Sequence, residues 1–177
     1  MTAREQILPL FAVFAKDAIS EWRTRYALST ILLFILTTVS MIIIAIAGEP
    51  LSNGLRAGFL WIAMFFGAMT GLAKSFISEE ERGTALFLRA SVHWAAVYWG
   101  KLAFNTILSI VLNAFAVLVF ALFVGVPDGT SLLAFALSIL LGSLGLAATS
   151  NIISAIIAKA NTKNAVFPVV SFPILLP

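Results

Sequence analysis

Four long apolar runs without a charged residue constrain the fold of this chain more than any other feature. The run at 26–47 has the length of about 20 residues that the hydrocarbon core of a bilayer requires. Further runs at 57–73, 102–124 and 131–158 predict three more membrane spans. Charged residues make up 11% of the chain, whereas soluble globular domains carry about 25%. We therefore expect an all-α, polytopic helical membrane protein that forms one domain.

The first 25 residues have a different pattern, typical of an amphipathic helix. In such a helix apolar residues share one face, and here polar residues occupy the opposite face. The apolar residues recur at helical spacing, and they are Ile7, Phe11, Phe14, Ala18 and Trp22. We expect residues 1–25 to form an interfacial helix with its apolar side towards lipid. Packing against the protein's own spans is the alternative, and the two arrangements are compatible.

The segment 74–101 holds three of the eight acidic residues, four of the eleven basic residues and the single histidine. Ser78 and Glu81 have the spacing of a capping box, which predicts a surface helix at about 78–88. Gly83 lies inside that range and disfavours a continuous helix, so the helix should end or bend there. We predict that this loop contacts a soluble partner through Ser78, Glu79, Glu80, Glu81, Arg82 and Gly83. An ordinary solvated helix is the alternative.

Polar residues also occur where membrane helices are expected. Asn105, Ser109 and Asn113 are four residues apart and share one face of the third span, where they predict hydrogen bonds between helices or a substrate path. His93 lies in an aromatic belt at the membrane surface. It is expected to be a polar anchor, with heme ligation the less favoured alternative. Ser91 is expected to cap the helix of the third span.

Small residues predict where helices approach one another closely. Gly67 and Gly71 form such a stripe in the second span. The fourth span carries a second predicted packing face, made of Ser138, Gly142, Gly145 and Thr149.

The last apolar segment, 165–177, is too short to cross a bilayer. We interpret it as the start of a fifth span, and we expect the chain to be incomplete at this end.

Cations are distributed unequally between the two sides of the predicted bundle. Ten lie in the N-terminal helix, the 74–101 loop and the 159–164 turn, whereas Arg56 lies alone on the other side. The positive-inside rule then places the N-terminus and the 74–101 loop in the cytoplasm.

Several function classes are disfavoured by what the sequence lacks. The chain has no cysteine and one histidine, which makes a protein zinc site improbable. It has no Walker-type glycine loop, no nucleophile paired with a base and no acidic residue within a predicted span. A net charge of +3 does not indicate nucleic acid binding. We expect a non-enzymatic membrane protein whose energy source is a separate subunit.

The order of elements resembles that of ABC-2-type permeases and, within them, the heme exporter protein B family. The resemblance extends over essentially the whole chain. It rests on FAKD at 14–17 with Glu21 and RTR at 23–25, GFLWIA at 58–63, GLAKSF at 71–76 with EEE at 79–81, GTAL at 83–86, WGKL at 99–102 with Asn105, and FPV at 167–169.

The resemblance implies a permease subunit of a bacterial inner-membrane complex that delivers heme for c-type cytochrome biogenesis. Members of this family have six spans, so the last one would be missing here. The implied partners are an ABC ATPase subunit and heme-handling membrane proteins. Heme would be cargo, and no cofactor would be bound tightly by this chain. Two alternatives are a permease for another cargo, such as a drug or glycolipid, and a non-transporting membrane scaffold.

Overall fold

The computed structural model describes residues 3–46, 48–72, 75–125, 129 and 131–158, and this part of the chain is helical without strands. The all-α prediction is confirmed. The helices are, in chain order, α1 (Ala3–Thr24), α2 (Tyr26–Ile46), α3 (Asn53–Leu72), α4 (Ile77–Glu81), α5 (Ala85–Ser91), α6 (Trp94–Phe123) and α7 (Leu132–Ile157).

Four helices, α2, α3, α6 and α7, are long and apolar enough to cross a membrane. They correspond to the four predicted spans. The main differences are at the N-terminal ends, since α3 begins at Asn53 and α6 at Trp94. Both helices therefore extend beyond the charge-free run that predicted them. The expected fifth span at 165–177 lies outside the described residues, as does the 159–164 turn.

The apolar interior is formed mainly by α2, α3 and α6. Ile31 and Ile35 of α2, Met64 of α3 and Leu112 of α6 are buried in one cluster. A Cβ atom at Gly71 would lie 1.8 Å from Cδ1 of Ile31, so the glycine leaves space for that side chain. The predicted close approach at Gly71 is confirmed.

Helix α1 packs along α6 and presents its other side outwards. Phe14 contacts the ring of Phe104 of α6 edge to face, with 6.2 Å between ring centroids. At Phe14 the structure shows the alternative, packing against the protein's own spans, because α6 covers that side of the helix. Among the α1 side chains that the structure describes, the large apolar ones that remain exposed are Leu8, Phe11, Ile19 and Trp22.

The contact between α1 and α6 depends on Gly100. A Cβ atom at this position would lie 2.8 Å from the carbonyl oxygen of Leu10 and 2.9 Å from Cβ of Val13. Because these are atoms of the α1 backbone and of a Cβ, neither can rotate away. The glycine thus sets how closely the two helices pack.

Helix α7 packs on α6 and α3 through a different face from the predicted one. Ser138 is exposed, and a Cβ at Gly145 would meet nothing within 4 Å. At Gly142 the prediction is confirmed, since a Cβ there would lie 2.1 Å from the Trp61 ring. It was wrong at Ser138 and Gly145, because both faces of α7 carry small residues and residue size did not identify the packed one. Its buried residues are Ser143, Leu146, Ala147, Ser150, Asn151, Ile153, Ser154 and Ile157.

The 74–101 segment contains two short helices rather than one. Gly83, with φ of +69°, separates α4 from α5, so the predicted break at Gly83 is confirmed. The predicted capping box was wrong, because α4 begins at Ile77 and has no side-chain cap. Tertiary contacts fix this start instead: Ile77 is buried, and the Phe76 N–H donates to Oγ of Ser154 at 2.9 Å.

The predicted cap at Ser91 was also wrong. Ser91 is the last residue of α5, and its hydroxyl donates to the Phe87 carbonyl at 2.8 Å. His93 precedes α6 and accepts from the Ala95 N–H through Nδ1 at 3.4 Å. The extended backbone of His93 is the conformation that an N-cap residue requires.

Candidate functional site

A buried lysine lies where α1, the α3–α4 turn and α4 meet α6. Lys101 is 1% exposed. Its Nζ atom donates to Oδ2 of Asp17 at 3.0 Å, to Oε1 of Glu79 at 3.1 Å and to the carbonyl oxygen of Ser75 at 2.9 Å. An ammonium has three hydrogens to donate, so every one of them has a partner inside the protein.

Glu79 of α4 is the second buried charge of this site. Its carboxylate accepts hydrogen bonds from Lys16, Lys101 and the Thr84 hydroxyl. Burial alone raises the pKa of Glu79, but the Lys101 ammonium and the bonds from Lys16 and Thr84 outweigh burial and lower that pKa from 4.5 to about 2. The group is therefore a carboxylate at any physiological pH.

We call Lys16, Asp17, Glu79 and Lys101 the ionic cluster. Lys16 lies at its outer edge, with 41% of its side chain exposed, and also pairs with Asp17 at 3.4 Å. The two cations and two anions cancel, as buried charges must if they are to be tolerated. The cluster connects an N-terminal helix, a loop helix and a membrane span that are far apart in sequence.

A cleft of about 330 Å³ lies over the ionic cluster. Its walls come from α1, α2, α3, α4 and α6, and Lys101 and Asn105 both face it. Glu21 and Glu81 add acidic groups to its lining. The cleft combines charges of both signs with apolar side chains such as Leu72 and Phe104.

The predicted partner-contacting residues fall into three groups by their exposure to solvent. Glu79 is turned inwards, so its expected pairing with a partner is not supported: its carboxylate is already occupied within the chain. Ser78 and Glu80 are half-buried, whereas Glu81, Arg82 and Gly83 are exposed. Arg82 donates from Nη1 to Oγ of Ser20 at 3.2 Å. Contact with a partner stays a prediction for the exposed group.

The polar residues of α6 form a seam with α7. Nδ2 of Asn105 donates to Oδ1 of Asn151 at 2.9 Å. Nδ2 of Asn113 donates to Oγ of Ser143 at 2.9 Å and to Oγ of Ser109 at 3.3 Å. All five side chains are buried. The predicted bonding between helices is confirmed, and a substrate path along this face stays a prediction.

His93 is exposed beside Trp94, with 5.9 Å between ring centroids. Within the described residues, no group of three or more His, Cys, Asp or Glu could hold a metal ion. Heme ligation by His93 therefore stays a prediction, and its observed contact is the helix cap.

Sequence reasoning missed Asp17 and Lys101, although a signal for Lys101 was present. Lys101 lies four residues before Asn105 and so continues the face of Asn105, Ser109 and Asn113. Residues four apart lie on the same face of a helix. If Asn105 points into the bundle, the side chain of Lys101 should therefore point inwards as well. Asp17 had no comparable signal, because the register of α1 on α6 depends on the contact at Gly100.

The fold and the site define a class: a helical protein with four helices long and apolar enough to cross a membrane, and with charges gathered where a loop helix meets the bundle. The family model described as CcmB protein matches residues 8–177. The chain therefore belongs to the CcmB family, which is the heme exporter protein B family that the sequence resembles. This family comprises membrane permease subunits of heme export in cytochrome c maturation. No curated protein and no solved structure matches the chain.

Proposed function

We propose that this chain is the permease subunit of an ABC-type complex and that a separate ATPase subunit acts on it through α4, α5 and the turn between them. We call residues 77–91 the coupling segment. The complex serves heme delivery for c-type cytochromes. ATP hydrolysis belongs to the partner, and heme is cargo rather than a tightly held cofactor of this chain.

One observation carries the proposal: the coupling segment is anchored on its inner side and open on its outer side. Ile77 and Glu79 are buried. Glu81 and Arg82 are exposed, and so are Leu86 and Phe87, at 77% and 73%. A short loop helix with charged and apolar groups outside and rigid contacts inside is suited to receive force from a docked protein.

We place this end of the bundle in the cytoplasm of a bacterial inner membrane. The unequal distribution of cations along the chain supports this orientation. It puts the coupling segment on the side where ATP is available. Heme-handling membrane proteins are the further partners that family membership suggests.

Affinity purification of the full-length protein from its native host in mild detergent, followed by mass spectrometry, tests the proposal. We expect an ABC ATPase together with heme-handling proteins. An ATPase without heme-handling proteins would favour a permease for another cargo. A folded preparation without any ATPase would contradict the proposal and favour a membrane scaffold.

A charge reversal locates the docking surface. Glu81→Lys changes an exposed residue of the coupling segment and should reduce recovery of the ATPase while membrane insertion stays normal. Glu49→Lys is the matched control, because Glu49 is exposed in the loop between α2 and α3, at the other end of these helices. Equal ATPase recovery with both variants would show that docking does not use Glu81.

A further inference from the structure

We propose that Lys101 is a positioning residue that makes α1 and the coupling segment move with α6 as one unit, so that the N-terminal helix belongs to the path of force transmission. This inference rests on the proposed function of the coupling segment. It assigns to α1 a role beyond lying in the membrane interface.

The first step of the argument is the arrangement of bonds at the Lys101 ammonium. One bond goes to Asp17 on α1, one to Glu79 on α4 and one to the Ser75 carbonyl in the turn before α4. The Phe76 ring, with its centroid 5.4 Å from Nζ, covers the same group. A single atom of α6 thus joins the N-terminal helix to the coupling segment.

The second step compares Lys101 with the other links between α1 and the coupling segment. Lys16 contacts Glu79, and Arg82 contacts Ser20, but these two cations lie at the solvent-facing edge. A bond with a solvent-accessible member contributes less than a fully buried one, and 41% of the Lys16 side chain is exposed. The bonds of Lys101 are buried, and breaking them leaves an uncompensated charge inside the protein. Lys101 is therefore the link between α1 and the coupling segment that stays intact when the partner acts on that segment.

The third step is the neighbouring residue. Gly100 lets the backbone of α1 approach α6 at Leu10 and Val13. Asp17 follows Val13 by one helical turn and is thereby brought beside Lys101. Gly100 and Lys101 together fix both the distance and the register of α1 on α6. A push on α4 is then transmitted to α1 as well as to the span.

The absence of cysteine from the chain allows a direct test with spin labels. Ile19→Cys on α1 and Ala90→Cys on α5 place two labels at exposed positions, and pulsed EPR measures the distance between them in lipid nanodiscs. In the parent protein we expect one narrow distance distribution. Lys101→Met should broaden or shift that distribution. Lys16→Met, which removes the exposed lysine of the same cluster, should leave it unchanged.

A functional readout separates positioning from a purely structural role. With Lys101→Met we expect the ATPase still to co-purify and hydrolyse ATP, while heme-dependent cytochrome formation falls by about tenfold. If Lys101→Met does not fold, Asp17→Ala removes the acceptor that Lys101 bonds on α1 and should broaden the distribution in the same way.

An unchanged distribution in a folded Lys101→Met or Asp17→Ala variant would overturn the inference, as would equal effects of the Lys16 and Lys101 variants. The EPR distances do not require a partner, so they test the inference separately from the proposed function. If no ATPase co-purified with the parent protein, that result would contradict only the proposed function.

Discussion

Glu79 illustrates, at the scale of a single residue, how this chain buries charge near a membrane. Burial alone would raise the pKa of this carboxyl, because it disfavours the charged form. Two lysines and a threonine hydroxyl reverse that preference. The buried contact with Lys101 holds α4 against α6, so the ionisation state of Glu79 is coupled to the position of the loop helix.

Replacing Glu79 by Gln should therefore lower stability in a pH-dependent way. Lowering the pKa from 4.5 to about 2 corresponds to about 3 kcal/mol at neutral pH. Since the folded pKa lies below the unfolded value, this contribution is present above about pH 5 and is lost as the pH falls towards 2. Thermal unfolding in detergent, followed by tryptophan fluorescence across this range, should show the wild type losing stability and Glu79→Gln changing less.

The control for this measurement is Glu81→Gln, which neutralises an exposed acid of the same helix. It should resemble the wild type at every pH. If Glu79→Gln and Glu81→Gln had equal unfolding temperatures at neutral pH, the buried ion pairs would contribute no net stability.

His93 is a second residue whose role can be separated from the alternatives. Its contact with the Ala95 N–H is long, at 3.4 Å, so its loss should cost no more than about 0.5 kcal/mol, the low end for an N-cap. We expect His93→Ala to retain nearly normal heme-dependent cytochrome formation, measured by heme staining of membrane and periplasmic fractions. His93→Asn preserves the cap and is the matched variant. Complete loss of cytochromes in both, at normal expression, would instead indicate a heme ligand.

At the scale of elements, the contact between α1 and α6 depends on one missing side chain. Gly100→Val should separate the two helices, because its Cβ would clash with the Leu10 carbonyl and with Val13. Overpacking of this kind costs about 1–3 kcal/mol, and we expect a lower unfolding temperature and easier proteolysis of α1. Gly145→Val is the control, since its Cβ would meet nothing within 4 Å. Equal effects of the two changes would mean that α1 does not depend on this contact.

The helices themselves could be predicted from sequence, because a bilayer requires long apolar segments whose backbone bonds are satisfied internally. The helix ends and packed faces could not. The start of α4 depends on Ser154, which is 78 residues from its partner Phe76, and no local pattern contains that information. The face of α7 was ambiguous because small residues lie all around it. Tertiary contacts decided each of these cases.

The candidate site was predictable only in part, for a related reason. The 74–101 segment was identified by its charges, but Glu79 was assigned to the outside because a charged loop is usually solvated. Two lysines and Asp17 from distant parts of the chain make burial of Glu79 possible. Asn105 and Asn113 were predicted better, since lipid offers a polar side chain no hydrogen-bond partner and a neighbouring helix does.

At the scale of the whole molecule, the two ends of the bundle differ in electrostatic character. Among the described residues, one cation, Arg56, lies at the end opposite the ionic cluster. Those at the cluster's own end include Lys16, Arg23, Arg25, Arg82 and Lys101. Cations near the ends of spans resist translocation, so we expect this difference to set the orientation of the bundle. The ionic cluster and the coupling segment should then face the cytoplasm.

Single cysteines test this orientation without background, because the chain has none of its own. Glu49→Cys lies in the loop between α2 and α3, and Ala90→Cys lies in α5; both positions are exposed. A membrane-impermeant maleimide added to spheroplasts should label Glu49→Cys at once and Ala90→Cys only after lysis, while the cysteine-free parent stays unlabelled. The reverse order would place the coupling segment outside the cell, where no ATPase could use ATP to drive it, and would contradict the orientation on which the proposed function depends.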